Sequence, residues 1–374
     1  MATEEWLYAR VHHAGHRDGE LLLTGLVPAW VEAAERAGVR RWFFLRYADA
    51  SGPHLRVRFL GTPAVLDDCW EAGRALWKEH VPPPARGEVE RLHPRAEEGL
   101  PGHGSRRLSL GVYGREHHYY GSPPAVDIAE EVFQASSELG LDAVRATGAD
   151  RTARAHLAVR VMRSCLGTLG RSQRERIWRL HWGHWTGLLA GDPAWLQETE
   201  RIAERCAAGA RPPIGGREPA ARPLTASARA GSSARAGSST RAGSSARAGS
   251  CSADAHAHAH AHTDVGPAST AGAGPASALP AADAGSVPAL PAAADALGRD
   301  LADGVRRALA VDPDAVASRL LLMQMHMTLN RLGFLPLEEA VLGRVAARAE
   351  HSDPPSPLPV HPARPAASPG ATAP

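Results

Sequence analysis

Trp42-Phe43-Phe44-Leu45-Arg46-Tyr47-Ala48-Asp49-Ala50-Ser51-Gly52-Pro53-His54-Leu55-Arg56-Val57-Arg58-Phe59 is the stretch that decides the architecture. Two short strands flank the Gly52-Pro53 loop, which predicts a hairpin. Successive strand residues point to opposite faces, so His54, Arg56 and Arg58 share one face while Leu55, Val57 and Phe59 share the other. The back of such a sheet is apolar and its front cationic. With Arg46, the hairpin gathers three arginines and a histidine into one region. A planar guanidinium matches carboxylates and phosphates, so the row asks for an anionic or carbonyl-rich ligand. Taken alone, the same charges also fit a half-solvated strand whose outer face is kept wet.

The chain has 374 residues, long enough for two domains, yet fewer of them can build a core. From about Ala207 to Ala294 it is dominated by Ala, Gly, Ser, Pro, Arg and His. A stretch with so few large apolar side chains cannot offset its ordering entropy by burial, which predicts a disordered linker over 207–294. Inside it an Ala-Arg-Ala-Gly-Ser-Ser unit recurs at Ala228–Ser233, Ala234–Ser239, Thr240–Ser245 and Ala246–Cys251, too short for a solenoid.

A net charge of +2 argues against a nucleic-acid binder that relies on a large positive excess. Cys69, Cys165, Cys206 and Cys251 show neither metal spacing nor a dense framework, so reduced thiols in the cytoplasm are expected. The N-terminal Met1-Ala2-Thr3-Glu4-Glu5-Trp6 lacks the basic and apolar regions of an export signal, and no apolar run is long enough to span a bilayer. These features predict a soluble cytoplasmic protein with no membrane partner. Lys78 is the one lysine, a bias that weakens any argument from the number of arginines.

Working outward from the hairpin, Trp6–His12 alternates as a strand, and a helix capped by Asp18 and running to Ala37, bent at Pro28, precedes Trp42. Further helices are expected over 63–80, 125–139, 151–169, 173–189 and 193–206, with a long loop over Val81–Arg107 and a strand over Leu108–Arg115. Beyond the linker, periodicity predicts helices over 294–310, 314–332 and 336–348, with Asp312-Pro313-Asp314 as a start signal. Three short apolar helices need a surface to cover. The reading is therefore an α+β fold: one discontinuous domain, an antiparallel sheet packed with helices, built from residues 1–206 and 295–350, with a disordered tail over 351–374.

Two further clusters carry polar chemistry. His326 and Asn330 lie four apart on one helical face, where the amide can orient the imidazole or touch a ligand; a buried histidine in a core rich in methionine is the plainer reading. Tyr113-Gly114-Arg115-Glu116-His117-His118-Tyr119-Tyr120-Gly121-Ser122 reads as a polar aromatic turn. Glu116 with His117 or His118 makes no zinc set, because no second ligand group is spaced for one. No Gly-x-Ser-x-Gly elbow and no phosphate-cradling loop occurs. The alternating His256, His258, His260 and His262 bind metal weakly at best, and Trp178, Trp182 and Trp185 read first as packing and second as a peptide-binding surface.

In order, the Trp42–Tyr47 strand, His54-Leu55-Arg56-Val57-Arg58, Tyr113-x-Arg115-Glu116 before Tyr120-Gly121, and His326-Met327 with Asn330-Arg331-Leu332 resemble the elimination domain of lantibiotic dehydratases. That domain also recurs as small stand-alone proteins in thiopeptide pathways. The resemblance covers roughly residues 6–205 and 296–348. It implies one of two chemistries on a ribosomally made precursor peptide, neither needing a cofactor or a metal. In one, glutamyl esters of Ser or Thr lose glutamate to leave dehydroamino acids. Arg56 and Arg58 would then hold the glutamyl carboxylate and His326 would move a proton. In the other, two dehydroalanines join by a formal aza-cycloaddition, and loss of water and of the leader peptide yields a pyridine.

Tyr119 stands where the family often has arginine, Ser122 replaces a common glycine, and Pro53-His54-Leu55-Arg56 departs from the Trp-Arg-x-Arg strand of stand-alone eliminases. These departures tilt the expectation toward the pyridine branch. Tyr113, Tyr119 and His326 are then the expected catalytic residues, with Arg46, His54, Arg56, Arg58, Glu116 and Asn330 binding substrate. The expected partners are the precursor peptide, leader and modified core, and other tailoring enzymes of the pathway. A scaffold that binds leader peptide without catalysis is the third reading. If the linker is dispensable, deletion of Ala221–Pro280 leaves product formation by the full reaction unchanged, as followed by mass spectrometry.

Overall fold

The structure, a computed structural model, describes residues 3–85, 87–101, 103–209 and 289–352. The low-complexity stretch with its repeats and His-Ala tract, and the tail beyond residue 352, lie outside the described residues.

Four antiparallel strands form one sheet: β1 (Glu5–His12), β2 (Arg41–Asp49), β3 (Gly52–Gly61) and β4 (Arg107–Leu110), in spatial order β2-β3-β1-β4. The hairpin closes at Asp49↔Gly52, with Gly52 at φ 97°, a left-handed conformation that glycine adopts freely. Its register pairs Phe43 with Arg58, Leu45 with Arg56 and Tyr47 with His54, and β1 adds Tyr8, Arg10 and His12 opposite Arg58, Arg56 and His54. Arg46 is paired with Leu55 and so belongs to the other face. The expectation that all three hairpin arginines meet in one place is corrected by this alternation.

The apolar face, with Ala9, Val11, Phe44, Leu55, Val57 and Phe59, packs on α1 (His16–Thr24), α2 (Leu26–Ala37) and α3 (Pro63–His80). The single helix expected over 18–37 is two, interrupted at Gly25 and not bent at Pro28. Pro28 sits in the first turn of α2, where its missing N–H has no helical partner to lose. Asp18 is no cap: its buried carboxylate accepts from the amides of Ala14 at 2.8 Å and Ala85 at 2.9 Å and pairs with Arg106, pinning both ends of the loop over 81–106.

A larger helical layer follows. It comprises α4 (His117–Tyr120), α5 (Pro123–Thr147), α6 (Arg151–Leu166), α7 (Arg171–Trp185), α8 (Pro193–Ala207), α9 (Ala289–Val311), α10 (Ala317–Arg331) and α11 (Pro336–Ser352). Asp150 and Asp192 cap α6 and α8 by accepting from the amides three residues on. β4 stops at Leu110, earlier than the sequence suggested, because Gly111 onward turns toward α4. α9 starts at Ala289, inside the span assigned to the linker, where Leu290 already packs on the core. α10 starts at Ala317 and not at 314, since the Asp312 carboxylate is used elsewhere, accepting from the Ser122 amide at 2.6 Å.

The helices after residue 288 dock back in two ways. α9 lies so close to α6 that a Cβ on Gly298 would come within 2.5 Å of the Val161 carbonyl oxygen. At the end of α10, four arginines from three segments converge on three successive carbonyls. Arg46 donates to the carbonyl of Arg331 at 3.3 Å, Arg154 to that of Leu332 at 3.4 Å, and Arg151 and Arg91 to that of Gly333 at 3.0 and 3.4 Å. A helix C-terminus carries negative partial charge, so cations belong there. Buried Glu338 balances them, accepting from Arg151 at 3.0 and 3.1 Å, while Glu20 pairs with Arg154 and lies 3.8 Å from Arg46. Burial pushes the Glu338 carboxyl up, but Arg151, Arg91 and two backbone amides bring it below its ordinary range.

Side chains from both parts of the chain also seal the outer edge of β2. The amides of Trp42, Phe44 and Arg46 donate to Gln134 Oε1, Ser137 Oγ and Asn330 Oδ1, and Asn330 returns a bond to the Arg46 carbonyl at 2.9 Å. Asn330 thereby extends the sheet as a fifth strand would, and α10 is tied to the hairpin.

Removing one partner of a buried ion pair strands the other. Arg151→Ala is expected to cost about 3–5 kcal/mol in urea unfolding, and adding Glu338→Leu not to recover it, because the amides of Leu92 and Leu335 and the Arg91 guanidinium lose their acceptor.

Candidate functional site

On the front of the sheet, Arg58 is 3% exposed and enclosed by rings. Its guanidinium lies 4.1 Å from the centroid of Tyr113 and 5.2 Å from those of Tyr8 and Phe43. Trp6, Phe43 and Tyr113 brace one another edge to face. Burial lowers the Arg58 pKa; Tyr113, Glu116 and Tyr8 oppose that fall and Arg56 adds to it. The Arg58 Nε has no hydrogen-bond partner among the described residues.

Arg331, at the end of α10, enters the same cluster. It donates from Nε to Ser137 Oγ at 2.9 Å and from Nη1 to the Met327 carbonyl at 2.9 Å, and it lies 4.9 Å from the centroid of Phe133. Its Nη2 is buried without a partner. Burial brings Arg331 down to about 9; Tyr120, Glu116 and Tyr113 act against that and Arg58 with it. Two unneutralised guanidiniums so near each other are costly unless something negative sits between them. Glu116 is the carboxylate that acts on both.

The phenols complete the cluster. Tyr113 donates to Glu130 Oε1 at 2.9 Å, and Glu130 is held by Arg115 at 2.8 and 3.0 Å. Tyr120 is fully buried and its hydroxyl has no partner among the described residues. Burial raises both phenols, so each stays a hydrogen-bond donor at neutral pH. The helical turn α4 sets Tyr120 in place: the amides of Tyr119 and Tyr120 bond the Glu116 carbonyl at 3.0 Å, and the Asp312 bond to Ser122 fixes its exit.

Toward the hairpin turn, the Arg56 guanidinium lies 3.2 Å from the Tyr47 centroid. His54 donates from Nδ1 to the Gly52 carbonyl at 3.0 Å, which leaves its buried Nε2 as an acceptor, and its ring lies 4.8 Å from that of His12. Tyr119 is half-buried with its ring 3.8 Å from His118.

His326 makes different contacts. Its Nδ1 is 2.7 Å from Glu339 Oε1, and its ring stacks on Trp185 at 4.4 Å with 28° between planes. Asn330, expected to orient this imidazole or to touch a ligand, is instead committed to the Arg46 backbone. Thus Arg58, Glu116 and Tyr113 come together, with Arg56 and His54 further along the same face. Arg46 and Asn330 serve the edge and the end of α10, and His326 stands with α7 and α11. Arg331, Tyr120, Glu130, Glu339 and Trp185 were missed. Arg331 and Tyr120 lay inside quoted motifs, but nothing local marks which arginine or tyrosine turns inward.

No group of three His, Cys, Asp or Glu able to hold a metal occurs among the described residues, and none of their helices is long and apolar enough to cross a membrane. A groove of about 310 Å³ beside Arg40, Arg41 and Glu138 runs along the outside of β2 and α5, away from the arginine cluster.

A family model described as the C-terminal part of lantibiotic biosynthesis dehydratase matches residues 6–350. The chain belongs to that family. No curated protein matches it. Among solved structures it is similar to the tRNA-dependent lantibiotic dehydratase MibB from Microbispora sp. 107891, at 18% identity and TM-score 0.47, covering 92% of this chain and 28% of that one. A pyridine synthase, TbtD, from thiomuracin biosynthesis matches at 16% identity and TM-score 0.46 over 92% of this chain and 97% of its own. TsrL matches at 18% identity and TM-score 0.38 over 93% and 95%. The chain therefore spans little more than a quarter of the dehydratase and nearly the whole of the other two.

Burial also lowers the imidazoles of His12, His13 and His93 from 6.5 to about 4. The unfolded chain takes up these protons near pH 6.5 while the fold refuses them until about pH 4. Their contribution is complete above pH 6.5 and is lost as the pH falls toward 4, so urea midpoints are expected to decline steadily across that window.

Proposed function

We propose that this protein is a cofactor-independent tailoring enzyme that closes a pyridine in a ribosomally made precursor peptide. In this reading two dehydroalanines join by formal aza-cycloaddition, and water and the leader peptide are then lost. The observation that carries it is the composition of the Arg58 cluster. Tyr120 keeps a protonated hydroxyl, and Arg58 and Arg331 each a buried N–H, without a partner among the described residues, while half-buried Glu116 acts on both guanidiniums and Tyr113 is held by Glu130. That set offers hydrogen-bond donors to a neutral amide oxygen more readily than an empty cationic fork for a carboxylate.

Cycloaddition requires a peptide amide to be drawn toward its imidic-acid tautomer while charge develops on oxygen. Arg58 and Arg331 polarise that oxygen. Tyr113 relays a proton through Glu130, and Tyr119 and His326 are further donors or acceptors. Arg56, His54 and Glu116 line the path of the extended peptide, and ring closure gains from holding both dehydroalanines together. Arg46 and Asn330 act by keeping α10 against the hairpin. We place the reaction in the cytoplasm, with the leader and other pathway enzymes as partners.

Glutamate elimination is the second reading. Arg58 and Arg331 together outweigh Glu116 by one charge, and a glutamyl carboxylate would balance it. Incubation of the full chain with a dehydrated, azole-bearing precursor is expected to give a macrocycle lacking water and a released leader, seen by mass spectrometry. Stepwise loss of glutamate from a glutamylated precursor, with no cyclisation, would sink the first reading and establish the second. Arg58→Ala is expected to slow cyclisation about 100-fold or more. Tyr120→Phe removes a hydroxyl without a partner and so leaves the melting temperature unchanged while turnover falls.

A further inference from the structure

We propose that Glu339 is a positioning residue that fixes the tautomer and aim of His326, presenting Nε2 as the proton acceptor in peptide processing. The inference rests on the enzymatic reading above but not on which of the two chemistries holds. Its starting point is a contrast among carboxylates. Four are buried among the described residues: Asp18, Glu130, Glu338 and Glu339. The first three are paired with arginine: Asp18 with Arg106, Glu130 with Arg115, Glu338 with Arg151. Glu339 alone of the four has an imidazole for its partner.

A carboxylate needed only for packing would be served better by a guanidinium, which is always charged, or by a neutral amide. One set against Nδ1 of an imidazole does something else. It places the ring proton on Nδ1 and leaves the lone pair on Nε2. The Glu339 side chain is fully buried while His326 keeps 20% exposure, so the pair has a dry end and an open end. Trp185 fixes the ring plane from one side by stacking at 4.4 Å, and His184 meets the Trp185 ring edge-on at 4.4 Å. Aim and tautomer are therefore set by separate contacts.

The groups facing the pair are few. From α7 come His181 and His184, and from α11 Glu338 beside Glu339 itself. Burial lowers His181 to about 3, with His184 and His326 adding to it, so it is neutral at working pH. Burial raises the Glu339 carboxyl, Glu338 adds to this, and His326 opposes both. Among the groups acting on Glu339, His326 is the one that favours its charged form.

The test has one arm that needs no substrate. In the full chain, nitrogen-15 spectra of the histidine rings, with His326 assigned by loss of its signals in His326→Gln, are expected to show Nδ1 protonated and Nε2 bare. In Glu339→Gln the signal is expected to become a mixture of tautomers, and in Glu339→Asp to return toward wild type. In the second arm, Glu339→Gln is expected to lower kcat roughly 10- to 100-fold with KM within about twofold. Without the carboxylate the neutral imidazole is favoured, so the acid limb of the pH–rate profile moves to lower pH. In a His326→Gln background Glu339→Gln is expected to add nothing.

A wild-type His326 protonated on Nε2, or a folded Glu339→Gln with wild-type tautomer and pH profile, overturns the proposal. A wild type that converts neither the dehydrated nor the glutamylated precursor overturns the functional reading instead, and the tautomer arm still decides whether Glu339 fixes the ring.

Discussion

The arrangement depends on the grip of four arginines on the last carbonyls of α10. Arg46 comes from the hairpin, Arg91 from the loop after α3, and Arg151 and Arg154 from α6. Each alone would be an expensive buried cation, and burial brings Arg46 down to about 9. Together with Glu20 and Glu338 they neutralise the end of a helix whose sequence neighbours lie far from theirs. This is how a chain interrupted by a long low-complexity segment closes a single domain, and it sets the rotation of α10 that turns Arg331 inward and His326 toward α7.

α10 is thus the element that the two polar regions share. One turn separates His326 from Asn330, and the next residue is Arg331. Their three side chains go to the Glu339–Trp185 pair, the edge of β2 and the Arg58 cluster respectively. A helix seated by backbone hydrogen bonds at one point and by ion pairs at another has little freedom to slide.

Much of the fold was legible because it is written in local patterns. The period of two around Gly52-Pro53 gave the hairpin and the shared face of His54, Arg56 and Arg58, and helical spacing gave most of α5 to α11. What escaped depends on distant partners. Asp18 looks like a cap until Ala85 and Arg106 arrive, and Asp312 looks like a helix start until Ser122 takes it. The site divides the same way. Arg58, Glu116 and Tyr113 were legible from strand alternation and the quoted turn. Glu339 was not, since its neighbour Glu338 has the same chemistry and only the approach of α6 to one and α10 to the other tells them apart.

That neighbouring pair has a consequence for how the protein tolerates change. Glu338 and Glu339 are joined by one peptide bond, yet one closes the arginine grip and the other reaches His326. Backbone displacement at the first turn of α11 is therefore felt at both places at once. Loosening the grip therefore shifts the first turn of α11 under the Glu339–His326 contact as well, so the firmness of the fold and the setting of that histidine are not independent properties.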